Sequence, residues 1–129
     1  NVAMPLFKIS GVEPAEARRR TESLLAFVGL GHVLTEPACH LPRAAQQRIS
    51  LARALANEPA FLIVENIDEG WPRSEMEAFA TLLRTSWEQF GVTVIATASI
   101  AVPAAKDDRV IVLEHGRVRS DSRLISKLA

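Results

Sequence analysis

The sequence predicts an α/β fold: a parallel sheet flanked by helices, with a purely helical front third. Two short apolar runs, AFLIVE (60–65) and VTVIAT (92–97), have the length of buried strands. Between them lies a long segment with helical periodicity, and strand–helix–strand order joins parallel neighbours through a crossover. The first 58 residues carry helical patterns and no strand run, so 1–58 is expected as a helical subdomain and 59–129 as the sheet-bearing core.

The elements follow in order. From Pro14, residues Ala17, Thr21, Leu24, Leu25 and Val28 recur at helical spacing, with Arg18, Arg19 and Glu22 off that stripe. Gly29 suits the C-cap, because it takes a left-handed backbone without penalty. A loop, GLGHVLTEPACHL, leads to a second helix starting at Pro42 or Arg43, with Ala45, Ile49, Ala52 and Leu55 on one face. Asn57 ends it, since Glu58 precedes Pro59 and is pushed out of the helical region. After the first strand, Gly70 and Pro72 make a loop, and Ser74 with Glu77 predicts a capping box. The third helix runs to about Phe90 with Met76, Phe79, Leu83, Trp87 and Phe90 inward, and Gly91 stops it. VTVIAT is the second buried strand. A short helix or loop leads to DRVIVLEHGRVRS, which reads as a hairpin turning at His115–Gly116. DSRLISKLA starts a last helix.

With 129 residues, 48% of them hydrophobic, the chain fits one domain with a substantial core. Fifteen basic residues balance fifteen acidic ones, which argues against a nucleic-acid binder. The single cysteine, Cys39, excludes an internal disulfide framework and suits a reducing compartment. No apolar run reaches the roughly 18–20 residues of a membrane helix. NVAMPLFKIS is not a signal peptide, and a start at Asn1 rather than Met fits a piece of a longer protein.

Several chemistries are disfavoured by pattern, though spacing alone leaves a Ser–His–acid triad open. The phosphate cradle G-x-x-x-x-G-K-[ST] is absent; the three lysines, Lys8, Lys106 and Lys127, follow no glycine loop. G-x-G-x-x-G is absent, as is the G-x-S-x-G turn of serine hydrolases. His32, Cys39 and His40 share one loop while His115 lies far away, which reads as loop polarity rather than a zinc site. Glu65 and Asn66 end an apolar strand, the place where open α/β sheets bind ligands. An acidic loop introducing the next helix explains the same residues, and this segment alone leaves both readings open.

The preceding helix changes that balance. LPRAAQQRISLARALANEPAFLIVEN resembles the signature-to-Walker-B region of ATP-binding cassette (ABC) transporter ATPases. The matches are Leu41, Gln46, Gln47 and Arg48, then Leu51 to Leu55, Asn57 and Pro59, with the spacing to Glu65 kept. GVTVIAT resembles the strand before the family's switch histidine, DRVIVLEHGRV its closing hairpin, and NVAMPL the segment after its glutamine loop. The resemblance covers essentially the whole chain and is greatest to ABC ATPases of cell-division and lipid- or lipoprotein-export type. It implies a partial P-loop NTPase (RecA-like) core with a helical subdomain and the phosphate-loop strand missing. In full-length members it implies ATP and Mg as cofactors, with the fragment itself binding neither. The implied partners are an ABC transporter membrane subunit and a second ATPase subunit or homodimer, at the cytoplasmic face of the membrane.

The departures from the family pattern fall on nucleotide-facing positions. Pro42 stands at the signature serine, Arg43 and Ala44 at its glycines, and Ala45 at the next position, ahead of the matching Gln46. Glu65 replaces the Walker B aspartate and is the one magnesium candidate, displaced by a methylene from a geometry magnesium holds strictly. Asn66 aligns with the catalytic glutamate, and an amide takes no proton at neutral pH. Ser99, or Ala98 with a one-residue gap, stands at the switch histidine, and Trp71–Pro72 replaces the Leu-Asp that ends the D-loop. A degenerate, weakly active or inactive ABC ATPase domain is the reading that results. An active ABC ATPase with compensation elsewhere and a non-enzymatic α/β interaction module are the alternatives. In the family's fold the phosphate-loop strand lies between the 92–97 strand and the hairpin. Without it the remaining strands are expected either to re-pair or to associate with a second copy, by exchange of elements.

Overall fold

Proline opens the first long helix, as its missing N–H allows. In the structure, a computed structural model in which residues 1–68, 70–99 and 108–122 are described, this helix is α2, Pro14–Phe27. The described residues fall into two compact units, one of Asn1–Ser99 and one within Ile100–Ala129. α2 ends in a Schellman motif: Gly29 N–H donates to Ala26 O and Leu30 N–H to Leu25 O, with Gly29 at φ 77°. Leu25 and Leu30 are both buried, supplying the apolar contact that accompanies this cap. Ala17, Leu24, Leu25 and Val28 are buried as the periodicity requires.

A six-residue helix, α1 (Ala3–Lys8), precedes α2 and packs Leu6 fully inside; the sequence pattern is too short to have indicated it. The GLGHVLTEPACHL loop contains two 3-10 turns, Gly31–Val33 and Ala38–His40. Helix α3 (Arg43–Leu55) buries Ile49, Leu51, Ala52 and Leu55, and Ala56 is buried just beyond it. Helix α4 spans Arg73–Phe90 and stops at Gly91 in the left-handed region.

Strands β1 (Phe61–Val64) and β2 (Thr93–Ala96) pair in parallel, with Leu62 opposite Val94 and Ile63 opposite Ile95. In the second unit, β3 (Ile111–Glu114) and β4 (Arg117–Asp121) form an antiparallel hairpin with a bulge between Val112 and Leu113. His115 (φ 49°) and Gly116 (φ 75°) form its two-residue turn, and two successive positive φ values match the right-handed strand twist. Arg109 grips the base of β4, its Nε and Nη2 donating to Asp121 at 3.1 and 2.6 Å. That pairing holds the guanidinium above its ordinary pKa.

Three expectations are corrected. The strands are not buried on both faces: Leu62 is buried, but Phe61 and Ile63 are 64% and 67% exposed, and Ile95 is exposed beside them. The described residues cover only the face of Leu62 and Val94. Trp87 and Phe90 point outward; Ala80 and Ser86 take the inner stripe, because the buried line on α4 runs 76, 79, 80, 83, 86. Phe90 meets Phe27 edge-on instead, centroids 4.9 Å apart. The capping box does not form. Pro72 is the N-cap, with Glu75 and Met76 N–H both directed to its carbonyl, so Ser74 lies inside the helix and Glu77 accepts from Arg73. Among the described residues the strands form two two-stranded sheets, β1 with β2 and β3 with β4. The expected last helix and the 100–107 connection lie outside the described residues, apart from Asp121 and Ser122.

Two measurements follow from α2. Thr21 faces inward, and its Oγ1 is buried with no hydrogen-bond partner. Thr21→Val keeps the shape and removes that unsatisfied hydroxyl, so urea unfolding is expected to show a gain of about 1 kcal/mol. Glu16 accepts from Arg19 and Arg20 at 2.7 Å, and those bonds lower its pKa from 4.5 to about 2. A lowered carboxylate stabilises the fold above its unfolded pKa and ceases to as pH falls through the folded one. Thermal melts between pH 4.5 and 2 are therefore expected to fall less steeply in Glu16→Gln than in the parent.

Candidate functional site

Two clusters carry the residues that the sequence singles out. The first surrounds the N-terminus of α3. Pro42, with φ −55° and ψ 152°, starts the helix without a side-chain cap. Gln46 donates from Nε2 to Leu41 O at 2.8 Å, tying the first turn back to its approach loop. Arg48 reaches the C-terminus of α2, donating from Nη1 to Val28 O at 3.4 Å, where a cation suits the exposed carbonyls. Arg20 to Glu58 (3.0 Å) and Ser10 to Asn57 (2.8 Å) join the other end of α3 to the preceding segments. These four bonds hold the helix start where it is.

Arg43 extends from this start over the loop that follows β1. Its Nη1 lies 3.4 Å from where a Cβ on Gly70 would sit, and Gly70 has φ 72°. Pro42, Arg43, Gly70, Trp71, Pro72 and Glu75 line a shallow cavity of ≈ 220 Å³. Trp71 is fixed by an edge contact to Phe79, centroids 5.1 Å apart, which anchors the loop to α4. Thus the helix carrying Arg43 and the loop leaving β1 face the same cavity, as a common site requires.

The second cluster is the pair of strand tips. Glu65 and Asn66 leave β1 exposed, and Asn66 has φ 53°. Asparagine tolerates that left-handed conformation better than most residues. Thr97 and Ser99 leave β2 alongside them. Thr97 N–H donates to Val64 O (2.9 Å) and Ile67 N–H to Thr97 O (3.0 Å). Asn66 N–H donates to Thr97 Oγ1 at 3.1 Å. Ser99 turns to Asp68, its Oγ donating to Oδ2 at 2.7 Å and its N–H lying 3.1 and 3.0 Å from the two carboxylate oxygens.

The structure therefore brings Glu65, Asn66 and Ser99 to one end of the sheet, and Pro42, Arg43 and Ala44 to a cavity on the adjoining loop. Gln46 faces its own approach loop, outside that lining. Sequence reasoning passed over Asp68 and Thr97. Asp68 stands in the acidic loop that follows the first strand, but only the β1–β2 register puts it opposite Ser99.

Among the described residues no three His, Cys, Asp or Glu side chains gather as metal ligands, which leaves Glu65 as a lone candidate. Pro42 offers neither hydroxyl nor N–H, and the guanidinium of Arg43 lies across the approach to Gly70. No phosphate loop exists in the chain.

No family model matches the chain. Individual proteins do. The methionine import ATP-binding protein MetN of Bordetella pertussis is 39% identical over 119 residues, covering 92% of this chain and 33% of its own length. The lipoprotein-releasing system ATP-binding protein LolD 2 of Caulobacter vibrioides is 38% identical over 122 residues, covering 92% and 51%. Among solved structures, cbiO1 from Clostridium perfringens, part of the ABC transporter complex cbiONQ, aligns with a TM-score of 0.84 over 99% of this chain and 52% of its own, at 23% identity. The ATP-binding cassette MJ0796, in a dimeric post-hydrolysis state bound to ADP and Pi, aligns at 0.70 over 93% and 53%, at 27% identity. The chain spans about a third to a half of the length of these curated relatives. They include both import and release systems, so the comparison singles out no subgroup.

Gly70→Ala tests the cavity geometry. The positive φ and the 3.4 Å approach of Arg43 both oppose a Cβ, so the variant is expected to lose roughly 1 kcal/mol in urea unfolding. Removing the guanidinium as well, in Arg43→Ala/Gly70→Ala, leaves only the backbone part of that loss.

Proposed function

From a chain whose relatives are ABC transporter ATP-binding proteins, and whose fold is that of the C-terminal portion of their ATPase domain, we propose a degenerate ATP-binding subunit that serves transport with weak or no hydrolysis of its own. In this reading residues 1–58 are the helical signature subdomain and 59–129 the C-terminal part of the core. The subunit acts at the cytoplasmic face of the membrane by pairing with a membrane subunit and a second ATPase subunit. None of the helices among the described residues is long and apolar enough to cross a membrane, so attachment through a partner is the arrangement the reading requires.

The observation that carries it is Asn66 at the tip of β1, with Ser99 at the same end of the sheet in the segment leaving β2. Neither side chain accepts a proton at neutral pH. Hydrolysis needs a base to take a proton from the attacking water, and such a base contributes about 10²–10⁴-fold. Pro42, Arg43 and Ala44 point the same way at the signature position, where a hydroxyl and close backbone approach are replaced by side chains. The fit to the retained pattern is equally specific: Arg48, Ala52 and Leu55 keep the packing of α3 while the residues at its exposed start are exchanged.

Two assays test this. The chain itself, titrated with Mg-ATP in a calorimeter, is expected to show no binding at sub-millimolar concentration; a sub-millimolar Kd contradicts the loss of the nucleotide site. In single-turnover assays on the protein at full length, Asn66→Glu with Ser99→His is expected to raise hydrolysis by at least tenfold over the parent. Parent turnover already equal to that of the restored variant removes the proposal.

A further inference from the structure

We infer that Asp68 is a positioning residue: with Ser99 it clamps the loop leaving β1 to the loop leaving β2 and sets the geometry of the strand tips without a ligand. Its bearing on function rests on the proposed reading of a degenerate subunit; the clamp itself rests on geometry alone.

The argument begins where the backbone ladder ends. Strand pairing stops at Val64 and Ala96. Asn66, at φ 53°, then turns the chain out of the strand conformation. Beyond that turn a regular parallel ladder cannot continue, because its bonds require extended residues on both sides. One backbone bond, Ile67 N–H to Thr97 O, and two side chains extend the contact. Thr97 Oγ1 accepts from Asn66 N–H, and the Asp68 carboxylate accepts both donors of Ser99, its N–H and its O–H. Hydrogen bonds to an ionised acceptor are shorter and about twice as strong as neutral ones, and the 2.7 Å Oγ–Oδ2 distance is of that kind.

The clamp depends on what stands at position 99. Serine places a hydroxyl one bond from its Cβ, within reach of the carboxylate that already holds its N–H. A histidine there offers no such hydroxyl. The exchange at Ser99 and the acid at Asp68 are thus two halves of one contact, and 31 residues of chain, including all of α4, are closed between them. Here the chain's own carboxylate and hydroxyl hold the tips together, so the surface they present to a partner is fixed by the sequence.

Amide hydrogen exchange on the chain, read residue by residue by NMR, tests this. In the parent, Ser99 N–H is expected to be protected although its residue is exposed. Asp68→Ala is expected to accelerate exchange at Ser99 about tenfold or more while Phe79 and Leu83 in α4 stay protected. Ser99→Thr, which keeps the hydroxyl, is expected to retain the parent's melting temperature and the protection of Ile67; Ser99→Ala is expected to lose part of both. If Asp68→Ala exposes α4, Asp68→Asn is read instead, where one acceptor oxygen survives and the loss at Ser99 is partial. Unchanged exchange at Ser99 in a folded Asp68 variant overturns the clamp, as does equal behaviour of Ser99→Thr and Ser99→Ala. Efficient ATP turnover by the full-length parent removes the functional proposal and leaves the clamp measurement standing.

Discussion

The parallel pairing of β1 with β2 is the constraint on which the site depends. It joins segments 32 residues apart in a single register, Phe61 with Thr93 through Val64 with Ala96. A slip by one residue would turn Leu62 and Val94 away from the helices and bring Phe61 and Ile63 in. It would also move Asp68 away from Ser99 and Asn66 from Thr97. The register is held by burial on one face, where Leu62 packs inside with Val92 just before β2. The crossover helix α4 supplies that burial through Met76, Phe79 and Leu83, and Gly91 lets the chain turn back into β2. The position of Asn66 and Ser99 is therefore a consequence of core packing, although both are exposed.

Much of this was legible in the sequence. The three long helices, the two strands of the sheet and the His115–Gly116 hairpin all follow from periodicity, apolar runs and glycine placement, because each is a local signal. What failed was what depends on neighbours outside the local pattern. An apolar run such as FLIV says that a strand forms but not how many of its faces are covered, and here only one is. Ser74 and Glu77 have capping-box spacing, yet Pro72 fixes the helix start two residues earlier and places serine inside the first turn. Trp87 lies four residues from Leu83, as Phe79 does in the other direction, but the buried stripe drifts to Ser86 because 3.6 residues per turn do not close on a repeat of four. The Asp68–Ser99 contact was invisible for a different reason. Nothing within either residue's own segment indicates it; the sheet register creates it.

The two halves of the site differ in what holds them. The signature-equivalent helix start is held by bonds at a distance from its tip: Arg48 to the end of α2, Gln46 to Leu41, Arg20 to Glu58. The tip itself, Pro42 and Arg43, is exposed. The strand ends show the same division, with Ile67 buried next to an exposed Asn66. Substitutions at exposed tips usually change stability by less than about 0.5 kcal/mol, whereas deleting a buried Leu or Ile costs roughly 2–5 kcal/mol. A chain of this fold can exchange every group at the rim and keep its interior, since few of the rim groups contribute to packing.

That inequality explains which exchanges are free and which are coupled. Pro42 brings its own φ, already suited to the residue before a helix, and needs no compensation. Asn66 suits the left-handed turn better than a glutamate would. Ser99 finds a partner within reach in Asp68. In each case the residue present satisfies a local requirement of the folded chain. The folded chain thus places a proline where α3 starts, an asparagine where φ is positive, and a hydroxyl within reach of the Asp68 carboxylate.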